Sequence, residues 1–98
     1  MDKSTVIAKL REHEPELKAA GIMRLSLFGS VARGDGSAES DVDLMAEFDP
    51  ARELSLLDLV GLENRIADIL GVRVDLTSAK ALKERVRERV AREAVLAF

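Results

Sequence analysis

Gly29-Ser30 and Asp41-Val42-Asp43, separated by ten residues, bring together groups suited to phosphoryl chemistry. Glycine has no Cβ, so a Gly-Ser turn lets main-chain N–H groups come close to phosphate oxygens. Acids at i and i+2 on a strand point to the same face, where they can share divalent cations. The combination describes a nucleotide-handling site that uses metal ions.

Asp75, within Val72-Arg73-Val74-Asp75-Leu76, alternates with apolar neighbours and supplies a third candidate carboxylate. Three acids converging on one face repel one another strongly unless cations neutralise them. Hard oxygen donors and the absence of cysteine favour Mg2+ or Mn2+, and two ions about 4 Å apart are the usual arrangement for in-line phosphoryl displacement. In that scheme Asp41 and Asp43 hold both ions, while Asp75 binds the catalytic ion and orients or deprotonates the attacking hydroxyl. Gly29 and Ser30 then hold the β- and γ-phosphates of the leaving pyrophosphate. Arg33 either reaches a phosphate or forms a local ion pair with Asp35 or Glu39. Alone, Asp41 and Asp43 would suit the solvated face of an edge strand; the Gly-Ser turn beside them favours a site. Other signatures fail, since Asp35 stands where a P-loop needs Lys and Glu39 replaces the third glycine of a dinucleotide fingerprint. His13, in a charged helical segment, reads as solvent-facing.

The elements carrying these residues alternate between helix and strand. Val6, Ile7, Leu10 and Leu17 predict a helix from Ser4 to about Ala20, with Ser4 as N-cap and Pro15 kinking or restarting it. Met23 to Phe28 predicts a short buried strand ending at the Gly-Ser turn, and Val31 to Glu39 a helical turn and loop broken by Gly34 and Gly36. Asp41 to Phe48 alternates cleanly, with Val42, Leu44, Ala46 and Phe48 on one face and Asp41, Asp43, Met45 and Glu47 on the other. Leu54 to Leu70 is helical by the spacing of Leu56, Leu59, Val60, Ile66, Ile69 and Leu70, with Ser55 and Asp58 as a capping box and Gly71 as the stop. Val72 to Leu76 forms a third strand, and Ser78 caps a last helix that buries Leu82, Val86, Val90 and Ala94. The order αβ-turn-βαβα defines an α+β fold: a small mixed β-sheet with helices covering one face and the acids projecting from the other.

Ninety-eight residues, 47% hydrophobic and 34% charged, fit a single domain over residues 1–98. No apolar run approaches the roughly 20 residues of a bilayer-spanning helix. The absence of cysteine and of a signal-peptide pattern makes the cytoplasm the default location. The net charge of −3 divides unevenly: residues 79–98 carry six Lys and Arg against three Glu, and residues 1–78 carry nine against fifteen acids. The basic end fits a solvated helix face with Glu84/Arg87 and Glu88/Arg92 pairs better than a nucleic-acid surface, and three Phe as the only aromatics leave no base-stacking platform. The apolar end, Ala94 to Phe98, either docks in the core or forms a contact surface for a partner or a second copy.

Gly29-Ser30, the ten intervening residues and Asp41-Val42-Asp43 resemble the signature of the polymerase-β-like nucleotidyltransferase superfamily. The flanking Leu27-Phe28, with Ala32-Arg33-Gly34 and Ser40 between, make the whole chain similar to the minimal nucleotidyltransferases. These short proteins are often paired with HEPN-domain proteins as toxin–antitoxin systems. The resemblance implies the minimal nucleotidyltransferase fold and Mg2+-dependent transfer of AMP from ATP. It also implies a HEPN toxin as partner, modified on a tyrosine. It assigns Gly29 and Ser30 to triphosphate binding, Asp41 and Asp43 to metal binding and Asp75 to the third catalytic acid; Arg33 matches the pattern without an assigned role. Two other functions remain open at this point, a non-catalytic antitoxin that neutralises its partner by contact and nucleotidyl transfer to a small-molecule hydroxyl.

Overall fold

The computed structural model describes residues 2–34 and 41–98; Asp35 and Glu39, the local ion-pair candidates for Arg33, and the break at Gly36 lie outside the described residues. Helix α1 spans Lys3–Glu12, and its N-cap is Asp2, two residues before the expected Ser4, because the Asp2 carboxylate accepts the Thr5 N–H at 2.8 Å. The chain breaks at His13 and restarts as α2, Glu14–Ala19, with Pro15 in its first turn, where a missing N–H does no harm. Strand β1 (Ile22–Phe28) runs directly into the short helix α3 (Gly29–Arg33). Strand β2 (Val42–Phe48) leads to α4 (Leu56–Leu70), whose capping box forms as expected: Asp58 N–H donates to Ser55 Oγ at 3.2 Å and Ser55 N–H to Asp58 Oδ2 at 2.9 Å. Then follow β3 (Val74–Ser78), a 3-10 turn (Ala79–Ala81), α5 (Glu84–Glu93) and β4 (Val95–Leu96).

The sheet order is β3-β2-β1-β4. β1 pairs antiparallel with β2 and β4, whereas β2 and β3 are parallel and joined by the crossover helix α4. Val42, Leu44 and Ala46, the inward residues of β2, are buried in one cluster with Leu62, Ile66 and Leu70 of α4 and with Val6, Leu10 and Leu17 of the first two helices. The expected α+β fold, with helices packed on one face of a small mixed sheet, is thus the one observed.

Departures from expectation lie in β3, which spans Val74–Ser78 where Val72 to Leu76 was expected, in α4 and at the end of the chain. Ser78 closes β3 and caps nothing with its side chain, and Leu82 and Lys83 are extended, so the spacing from Leu82 to Val86 spans a corner instead of one helix. Val86 is consequently 41% exposed, while Val90 is buried outside the main cluster. In α4 the buried stripe is Leu62, Ile66 and Leu70, leaving Leu56 and Val60 exposed at the start of the helix.

The apolar end docks in the domain. Val95 and Leu96 pair with Leu27 and Ser26, Ala97 is buried and donates its N–H to the Leu25 carbonyl at 2.9 Å, and Arg11 Nε donates to the Ala97 carbonyl at 2.7 Å. Two residues are too few to show strand alternation in sequence. Removing residues 95–98 opens the edge of β1 and is expected to destabilise the protein by about 2–4 kcal/mol, measured as a lower midpoint in urea unfolding.

Candidate active site

β1 delivers the chain to Gly29, the first residue of α3, which adopts φ +77°. The Asp43 carboxylate lies where a Cβ on Gly29 would sit, with Oδ2 overlapping that position and Cγ only 3.1 Å from it. Glycine is therefore required here twice, for its left-handed backbone and for the space that Asp43 uses. Ser30 follows within α3, and Phe28 offers no side-chain cap, so the first-turn N–H groups of α3 gain no side-chain acceptor from their N-cap. Gly34, at φ +82°, ends the helix.

β2 carries Asp43 in register with Phe28 of β1 on one side and with Asp75 of β3 on the other. In-register residues on neighbouring parallel strands point to the same face, with the strands about 4.8 Å apart. Asp41 lies just before β2 and is exposed, as is Asp75; Asp43 is half-buried. The structure thus brings Gly29, Asp43 and Asp75 together, with Ser30 beside Gly29 and Asp41 at the start of the strand.

Electrostatics agrees with that grouping. Burial, first, and then the charges of Asp75 and Asp41 push the Asp43 carboxyl above its ordinary value of 3.8, while the Arg33 guanidinium partly offsets them. An all-oxygen donor set of this kind suits Mg2+ or Mn2+. Among the described residues no three His, Asp or Glu side chains are already gathered as a metal cage.

Arg33 reaches across to α5, where its Nη1 donates to Glu93 Oε2 at 3.3 Å. Sequence pattern carries no signal for this pair, because Glu93 lies 60 residues away in a helix whose charges read as solvated. His13 is 39% exposed and bonds Glu16 at 2.9 Å. A hollow of about 720 Å3 opens at the far end of β2, lined by residues that include Met23, Glu47, Phe48, Lys80 and Arg87 but none of the three acids.

This fold, with its acids on neighbouring strands beside a glycine turn, defines a class of phosphoryl-transfer enzyme: the chain belongs to the nucleotidyltransferase domain family, which it matches over residues 7–97. It is a nucleotidyltransferase. Within that class it is similar to the protein adenylyltransferase MntA of Thermococcus cleftensis, 37% identical over 87 residues that cover 88% of this chain and 86% of the relative. The solved structure of a candidate minimal nucleotidyltransferase superposes with a TM-score of 0.82 at 40% identity, covering 97% of this chain and 95% of that one. The fold is also that of the Shewanella oneidensis complex of a tri-AMPylated HEPN toxin with its MNT antitoxin, at a TM-score of 0.68 and 17% identity over 93% of this chain and 70% of that one.

Proposed function

We propose that this chain transfers AMP from ATP to a tyrosine hydroxyl of a HEPN-domain protein and thereby acts as the antitoxin of that partner, as a single domain in the cytoplasm. The observation that carries the reading is Asp43, packed against Gly29 and flanked in register by Asp75. Similarity to a protein adenylyltransferase supports AMP as the group transferred, and the Shewanella complex supports a HEPN acceptor.

In this reading Gly29 and Ser30 bind the β- and γ-phosphates through main-chain N–H groups at the start of α3. Arg33, tethered to Glu93, adds positive charge beside the acids. Asp41 and Asp43 would hold two Mg2+ ions, or Mn2+, and Asp75 would bind one of them. Bound there, the cations supply charge neutralisation and polarise the phosphoryl oxygens. Asp75 orients the acceptor hydroxyl and takes its proton as the hydroxyl oxygen attacks the α-phosphorus. The bond from the α-phosphorus to the bridging oxygen breaks, and pyrophosphate leaves under the hold of Gly29 and Ser30.

Intact-mass analysis of a HEPN protein encoded beside this chain, after incubation with the chain, ATP and Mg2+, is expected to show added AMP units. The Asp41→Ala/Asp43→Ala double variant is expected to add none. If the native chain adds none, and the double variant still neutralises the partner in cells, neutralisation works by contact and the enzymatic reading fails.

A further inference from the structure

Leu76 donates its main-chain N–H to Glu63 Oε2 at 2.9 Å, a part-buried contact that ties α4 to β3. Among the described residues β3 is an edge strand, paired with β2 alone. Val42 N–H bonds the Arg73 carbonyl, so Arg73, and by strand alternation Asp75 and Thr77, turn their main-chain polar groups towards β2. Leu76 therefore turns its N–H to the outer edge, where Glu63 accepts it. Leu76 itself is only 4% exposed and is packed into the core.

We propose that Glu63 is a positioning residue for Asp75, a role that rests on reading Asp75 as the third carboxylate of the site. The peptide group that follows Asp75 has its carbonyl facing β2 and its N–H held by Glu63. Holding both ends of that group fixes ψ of Asp75, and with it the direction in which the side chain leaves the strand towards Asp43. An edge strand held on one side alone would let that angle drift, and misplacement of about 1 Å at a reacting group lowers rates by about 100-fold. Glu63 acts through the main chain and not by contact with substrate.

The test compares AMP transfer by the native chain with that of Glu63→Gln, Glu63→Asp, Glu63→Ala and Asp75→Asn. Gln keeps an acceptor oxygen at the same reach, whereas Asp keeps the charge but is one methylene short. Glu63→Gln is expected to keep kcat within about threefold of native, while Glu63→Asp and Glu63→Ala lose about 10–100-fold. Their KM for ATP is expected to stay within about threefold, since Gly29 and Ser30 are untouched. Should Glu63→Ala not fold, the Gln and Asp variants decide. Native kcat in Glu63→Asp, equal losses in Glu63→Gln and Glu63→Asp, or a loss confined to KM for ATP overturns the role of Glu63 and leaves that of Asp75 standing if Asp75→Asn is inactive. Native activity in Asp75→Asn overturns the assignment of Asp75 itself, and the role of Glu63 with it.

Discussion

Asp43→Asn is expected to lower AMP transfer by on the order of 1,000-fold or more and, at the same time, to make the metal-free protein more stable at neutral pH. Loss of activity follows from removing one of the two acids proposed to hold both cations. The gain in stability follows from the electrostatics. Burial and the neighbouring acids raise the Asp43 carboxyl above its ordinary value, so the native state binds its proton more tightly than the unfolded chain does. The group's contribution to stability is therefore present below its ordinary value of 3.8 and is lost as pH rises through the raised value. Asn carries no charge at any pH and escapes that loss. Thermal melts of the two proteins should separate most above the raised value, converge as pH falls towards 4, and converge again when Mg2+ is added at pH 7. A variant less stable than the native chain at pH 7 without metal would mean that the Asp43 carboxylate serves as a structural hydrogen-bond acceptor instead.

Gly29→Ala is the second large effect. A Cβ at this position meets the Asp43 carboxylate, which must swing away, and the residue must hold φ +77°. The strained backbone costs about 1–2 kcal/mol, and displacement of Asp43 is expected to lower kcat by about 100-fold or more. Gly34→Ala separates the two causes. Gly34 is also left-handed, at φ +82°, but among the described residues nothing lies within 4 Å of its would-be Cβ. It should lose comparable stability and keep kcat within a few-fold, as read by denaturant unfolding beside a rate assay. Equal losses of kcat in both variants would show that contact with Asp43 is not the reason for glycine at position 29.

Most of the candidate site was legible because its parts are local. Gly29, Ser30, Asp41 and Asp43 lie within one short stretch, and the alternation of Val42, Leu44 and Ala46 sets the face on which Asp43 stands. Asp75 was legible from the same alternation in a second strand, although only the parallel register places it beside Asp43. Contacts between distant elements left no pattern to read. Glu93 meets Arg33, and Glu63 meets Leu76, by tertiary packing that spacing along a helix does not encode. The missed strand β4 is two residues long, below the length at which a period of two can be recognised. The last helix was drawn too long because apolar residues on either side of the corner at Leu82 and Lys83 happen to share helical spacing.

The register that sets Asp43 beside Asp75 makes the site depend on parity. Each acid must occupy a position of the same odd or even class in its strand, counted from the buried residues around it. Many single substitutions in β3 would spare that relation, but insertion of one residue inside the strand, between Val74 and Asp75, would break it. Either Asp75 would turn into the core and Leu76 into water, or β3 would slide by one residue and lose the ladder that holds the two acids together. Length changes in this part of the gene are therefore expected to survive only in steps of two residues, or outside the strand where a turn can absorb them.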